Sequence, residues 1–300
     1  MPTAGCPRNF AMRLAVIAVL LLSACLAWGG EQKYAVKGMV IRVDAAHKTL
    51  DVSCQAIPGY MEAMLMPFTV RDAKELEGLV PGAMIQFTVV VGDESSYAQG
   101  IQVQSYQGLE VDPLTARRLK LLNKAINTSP SAVKPVAIGQ QVPSFTLLDQ
   151  NRHRMSLSMF AGKVVAISFI YTRCALPDFC FRTSNNFGQL QKRFSERLGR
   201  DLVLLTVTFD PAHDDPDVML KYAKIWKANP SWHFLTGSVV EVQRLCARFG
   251  VDAFQDEGLM NHSLHTAVID RTGRLAANLE GNQFTAEQLG DLVQATLDAR

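Results

Sequence analysis

Two apolar runs, Lys163–Tyr171 (KVVAISFIY) and Asp201–Phe209 (DLVLLTVTF), are almost uninterrupted, with a stretch of helical spacing between them. A strand that alternates polar and apolar residues buries one face, whereas a strand that is apolar at nearly every position is covered on both. Further helical stretches near 183–197, 215–228, 238–249 and 285–299 alternate with strands. From about Val142 onward the pattern therefore predicts an α/β domain of about 160 residues, with helices on both faces of its sheet. The chain has 300 residues, about two average domains, so something else precedes this one.

Residues 34–105 read differently. Tyr34–Val43 alternates in part, Asp44-Ala-Ala-His-Lys makes a turn, and short strands follow at Thr49–Ser53, Leu65–Val70, Met84–Val91 and Gln99–Gln104. Five short strands in about 70 residues predict a small OB-like β-barrel. The segment 106–138 is expected to be a linker: Pro113–Ile126 has apolar residues at helical spacing with a basic face, and Asn127-Thr-Ser-Pro-Ser-Ala-Val-Lys-Pro interrupts it.

The first residues have the layout of an export signal. Arg8 and Arg13 precede the apolar run Leu14–Leu22, which is too short to span a membrane even when extended to Trp28. Leu22-Ser23-Ala24-Cys25 resembles a bacterial lipobox, which implies removal of residues 1–24, lipidation of Cys25 and a periplasmic, membrane-anchored protein. Thirty Lys and Arg against 28 Asp and Glu leave a net charge of +2, so nucleic acid is not an expected partner. Cys6 leaves with the signal, and Cys246 lies on the apolar stripe of a helix as a core residue.

Cys174 and Cys180 sit where a central strand ends and a helix begins, in Thr172-Arg173-Cys174-Ala-Leu-Pro-Asp-Phe-Cys180. Open α/β sheets place ligands at this edge, and a helix N-terminus with Arg173 beside it favours thiolate. The pair reads as reactive or metal-binding thiols, with a structural disulfide as the plainer alternative. A second segment, Asn261-His262-Ser263-Leu264-His265, opens the strand Thr266–Asp270 and supplies imidazoles. Two cysteines and one histidine form a soft donor set suited to copper(I) or, less selectively, zinc.

Residues from about Gly139 to Ala299 resemble the Sco/SenC family, thioredoxin-like copper proteins associated with assembly of the dinuclear copper centre of cytochrome oxidase. The resemblance is carried by Val142-Pro-Ser-Phe-Thr-Leu, Gly162-Lys-Val-Val, Phe169-Ile-Tyr-Thr-Arg-Cys174, Phe209-Asp210-Pro211 with Asp215-Pro216, and His262-Ser263 before Val268-Ile-Asp-Arg-Thr-Gly273. It implies that Cys174, Cys180 and His262 bind copper and that Asp210 lies near the site. The chain departs from the family in its cysteine spacing. Five residues separate the cysteines here, three is the commoner number, and Ala175 stands where proline is usual. His265 lies near the place where thioredoxins carry a cis-proline, which leaves room for a metal and argues against a general dithiol oxidoreductase.

In Ile57-Pro-Gly-Tyr-Met61-Glu-Ala-Met64-Leu-Met66-Pro-Phe68, three methionines fall within six positions. Met64 and Met66 share a face in a strand, and thioethers are soft ligands for copper(I), although a methionine-lined core is the simpler account of the same spacing. The segment Tyr34–Gln104 resembles the small β-barrel copper and silver chaperones of the CusF type. By that resemblance Met64 and Met66 are ligands, Met61 stands at the place of a stacking tryptophan, and Cys54 or Ser53 falls where the family has a histidine. Together the two resemblances imply an exported copper(I) metallochaperone that delivers copper to an acceptor such as a cytochrome oxidase subunit. The alternative is a thiol-disulfide reductase of a copper acceptor, with Cys174 attacking and Cys180 resolving.

Overall fold

The computed structural model describes residues 31–92, 95–105, 133–256 and 259–299. The export signal, Cys25 and the linker helix 113–126 lie outside the described residues. Among those described, no helix is long and apolar enough to cross a membrane.

The N-terminal part is an antiparallel sheet of five strands in the order β3-β2-β1-β4-β5: β1 (Gln32–Asp44), β2 (Thr49–Cys54), β3 (Met64–Thr69), β4 (Met84–Val91) and β5 (Ser96–Val103). The end of β3 returns to β5, where Val70 bridges Ala98 and the Thr69 hydroxyl donates to the Ser96 carbonyl. This contact curls the sheet into a barrel around Val36, Val40, Leu50, Val52, Phe68 and Phe87. Gly38 is required at the β1–β2 crossing, because a Cβ there would come within 2.4 Å of the Val52 side chain and 2.8 Å of the Ser53 carbonyl.

The second part opens with the hairpin β6 (Thr146–Leu148) and β7 (Arg154–Ser156). Its main sheet contains β8 (Val164–Ile170), β9 (Leu202–Thr208), β10 (Trp232–Leu235), β13 (His265–Ile269) and β14 (Leu275–Glu280), in the order β10-β9-β8-β13-β14. The first three are parallel, and β13 and β14 are antiparallel additions. Both β8 and β9 are buried at every position, as continuous apolar strands require. One face packs on α1 (Arg182–Arg193), α2 (Pro216–Ile225) and α4 (Ala286–Asp298), and the other on α3 (Val239–Arg248) with the β6–β7 hairpin. This is the thioredoxin-like arrangement. A short hairpin, β11 (Ala253–Asp256) and β12 (Leu259–His262), precedes β13 and has no counterpart in the sequence reading.

The two parts share a core. Met39 and Ile41 of β1 are buried in the same cluster as Ala277, Leu279, Leu289 and Leu292 of the second part. Beside them the Ser53 hydroxyl donates to the Asp291 carboxylate at 2.6 Å, and the Gln288 amide donates to the Ser53 carbonyl at 2.9 Å. Gly82, at φ +88°, leans against the Leu279 side chain, where a Cβ would approach to 3.1 Å.

Candidate functional site

The parallel strand β8 delivers the chain to Tyr171, and a π-helical turn, Pro177–Phe181, then starts α1. Cys174 lies in the loop between them, half-buried, and Cys180 is buried within the turn. All four described cysteines, Cys54, Cys174, Cys180 and Cys246, are free thiols.

Cys174 is strongly acidic, with its pKa lowered to about 4. The largest cause is a hydrogen bond from the Cys180 thiol, with further help from His262 and from the backbone at Cys180 and Leu176, against opposition from burial. The Cys174 Sγ also stands 3.7 Å from the Leu176 carbonyl oxygen, but a thiolate has no proton to give that oxygen. Cys180 moves the other way, well above its ordinary value, because it donates to the Cys174 thiolate and because it is buried. One proton is thus held on Cys180 while Cys174 carries the charge. Tyr171, beside the pair, is raised to about 12 by burial and by the Cys174 charge.

Arg173 is not among the largest causes of the Cys174 shift: its guanidinium pairs with the buried Asp210 carboxylate at 2.7 Å, and the charge is held chiefly by thiol, imidazole and backbone donors. Asp210 also accepts from His213 Nδ1 at 2.9 Å within the Asp-Pro loop, and its pairing with Arg173 holds that loop against the cysteine turn. Asp214, fully buried, binds the turn more closely. Its carboxylate accepts from the Thr172 backbone N–H at 3.0 Å, the Thr172 hydroxyl at 2.5 Å and the Thr208 hydroxyl at 2.5 Å. The sequence reading missed Asp214. In Asp214-Asp215-Pro216 both acids look like helix caps, and only Asp215 is one, accepting from the Val218 N–H.

His262 ends β12 and lies between Tyr171 and Phe209, with ring centroids 5.6 Å and 4.6 Å away. Its neighbour along the chain, Ser263, ties the base of the hairpin by bonding to the Asp252 backbone. Among the described residues no three His, Cys, Asp or Glu side chains stand in coordination geometry, so Cys174, Cys180 and His262 are neighbours and not an assembled cage. Their chemistry nonetheless suits copper(I): two sulfurs, one of them ionised, and an imidazole. His265 is not part of this group. It sits in β13 beside Asn278 Oδ1 at 3.2 Å and against Gly250, and burial lowers its pKa.

In the barrel, Cys54 and Met64 are direct cross-strand partners, as are Val52 and Met66. Met64, Met66 and the core residue Phe68 point to one face, and Met61 and Met66 pack partly buried against the barrel core. The Cys54 thiol faces that core, 3.6 Å from the Val52 carbonyl, and burial raises its pKa to about 12. Tyr60, next to Met61, stacks on Tyr34 with centroids 3.8 Å apart. The second candidate site is thus a sulfur-lined mouth at one end of the barrel. Cys246 is buried in α3, a core residue as expected.

The family model described as SCO1/SenC matches residues 135–297, more than half of the chain. The chain belongs to the SCO1/SenC family. A model described as copper binding periplasmic protein CusF matches residues 33–102, ahead of the SCO1/SenC region. Protein sco1 of Schizosaccharomyces pombe is 29% identical over 154 residues, covering 49% of this chain and 57% of that protein. A putative copper-binding protein of Stutzerimonas stutzeri is 29% identical over 143 residues, covering 46% of this chain and 68% of its own length. Among solved structures, Arabidopsis thaliana ScoI with copper bound is 24% identical with a TM-score of 0.46, covering 53% of this chain and 98% of that one. Copper is the metal common to both matched regions, and the sulfur-rich chemistry of the SCO1/SenC cysteine turn and of the barrel mouth fits it.

Proposed function

We propose that this chain is an exported copper(I) metallochaperone, anchored in the periplasm through Cys25, that delivers copper for assembly of the dinuclear centre of cytochrome oxidase. Cys174, Cys180 and His262 hold the ion in this reading, and Met64 and Met66, with Met61 and Cys54, form a second site in the barrel. The observation that carries it is the Cys174 thiolate: a ligand already deprotonated at neutral pH, next to a second thiol and an imidazole. Copper is cargo. It enters as copper(I), displaces the proton of Cys180, and leaves by ligand exchange with an acceptor of similar softness, with no bond of the acceptor cleaved.

Equilibrium competition against a chromophoric copper(I) chelator, anaerobic and reduced, tests this. Replacing Cys174 or Cys180 with serine should weaken uptake at this site by at least a hundredfold, and His262→Ala by less. Uptake indifferent to both cysteines ends the proposal.

The same polarised pair favours a second reading, thiol-disulfide exchange on a copper acceptor. A thiolate beside a buried, protonated thiol is arranged as an attacking and a resolving cysteine. Cys180→Ser should then trap a mixed disulfide, and His262→Ala should retain disulfide exchange while losing copper.

A further inference from the structure

The loop that carries the cysteines buries little of itself. Of the residues between Cys174 and Cys180, Ala175, Leu176, Pro177 and Asp178 are all exposed. Phe179 leaves helical dihedrals, at φ −111° and ψ −109°, so the turn is broken one residue before Cys180. The backbone bonds show the effect. The Arg182 N–H donates to the Pro177 and Phe179 carbonyls and passes over Asp178 between them. The Asp178 carbonyl is met from outside the turn: it accepts from the side-chain amide of Asn282, and beside it the Arg182 guanidinium donates to the Gln283 carbonyl at 3.4 Å.

The segment that makes these bonds is itself well anchored. Asn282 is buried, and Phe284, two residues on, lies in the core that the barrel shares with the thioredoxin-like part. The Thr285 N–H donates to the Gln288 side chain and the Gln288 N–H to the Thr285 hydroxyl, which caps α4, while the Gln288 amide donates to the Ser53 carbonyl. A bond from this segment therefore fixes a loop that its own side chains do not bury.

Metal ligands keep their geometry through bonds made outside the ligands themselves. Resting on the reading of Cys174, Cys180 and His262 as a copper(I) site, we propose that Asn282 is a positioning residue for that site, setting the turn through the Asp178 carbonyl so that the Cys180 sulfur faces Cys174. It acts through the backbone from Asp178 to Cys180. Without that bond the exposed loop is free to carry Cys180 away from its partner, and the two sulfurs no longer meet on one ion.

A double-mutant cycle separates this role from support of the fold. Copper(I) uptake by full-length chains is read by competition with a chromophoric chelator, anaerobic and reduced, in a Cys54→Ser/Met64→Leu/Met66→Leu background that silences the barrel. Asn282→Leu keeps the bulk, loses the donor and should weaken uptake about 10- to 100-fold. Asn282→Ala takes its place should the leucine variant not fold. Added to Cys180→Ser, the same substitution should weaken uptake by no more than about a further twofold, because the ligand it positions is gone. Thr285→Ala, which loosens the α4 cap and leaves the Asn282 amide in place, should stay close to the parent. Unchanged uptake in Asn282→Leu, full additivity with Cys180→Ser, or an equal loss in Thr285→Ala overturns the proposal. Uptake indifferent to Cys180→Ser ends the copper reading of the site itself, and the role of Asn282 falls with it.

Discussion

Cys174 owes its charge to a neighbouring thiol more than to any cation, and its reactivity carries that signature. The thiolate is the nucleophile, so alkylation of Cys174 should be nearly flat from pH 8 to pH 5.5 and fall only as the pH nears about 4. Cys180→Ala removes the principal donor. Once the Cys174 pKa in that variant passes 6, each further unit toward an ordinary thiol lowers its alkylation rate at pH 6 about tenfold. A rate at pH 6 unchanged in that variant would show that imidazole or backbone holds the charge. Asp214 makes a structural prediction of its own. Its carboxylate satisfies three donors and is fully buried, so Asp214→Ala strands the Thr172 and Thr208 groups and should cost about 2–3 kcal/mol in urea denaturation. The cysteines and His262 were legible in the sequence because few residue types do their chemistry. Asp214 was not, since what distinguishes it from Asp215 is a contact 42 residues back along the chain.

At the scale of elements, β8, β9 and the four helices were legible because their periods are set by burial on two faces or one, a local property. The β11–β12 hairpin was not. It has weak alternation, and what fixes it is the closure of Ser263 on Asp252. It presents His262, so the copper reading depends on an element that local pattern hides. The strand that follows, β13, carries an acid-sensitive residue. Burial lowers the His265 pKa, so the folded chain keeps that imidazole neutral at pH values where the unfolded chain protonates it. Stability is therefore intact above the ordinary histidine value of about 6.5 and declines as pH falls below it. His265→Gln should flatten this part of the decline, measured as urea midpoints from pH 7 to pH 5. A slope identical to that of the parent would remove His265 from the account. In the barrel, Gly38→Ala forces a Cβ into Val52 and the Ser53 carbonyl and should cost about 1–3 kcal/mol, read in the same way.

The whole molecule behaves as more than two modules in series. Composition and length announced two halves, and the change of period placed them in order, but no local pattern marks a bond between residues 53 and 291 or a methionine of one half in the core of the other. Because Met39 and Ile41 are shared, the chain should unfold in a single transition, with far-ultraviolet circular dichroism and tryptophan fluorescence coincident in urea. Met39→Asp should split that transition in two; coincident curves in the variant would mean that the polar contacts alone hold the seat. The shared core also bears on anyone wishing to work with the halves alone. Cutting the chain between them would leave Met39 and Ile41 bare on the barrel and Leu279, Leu289 and Leu292 bare on its former neighbour, patches that favour aggregation in both fragments. Excised halves would need polar replacements at these positions to stay soluble, and behaviour seen in an unmodified fragment would report on the wound as much as on the copper site.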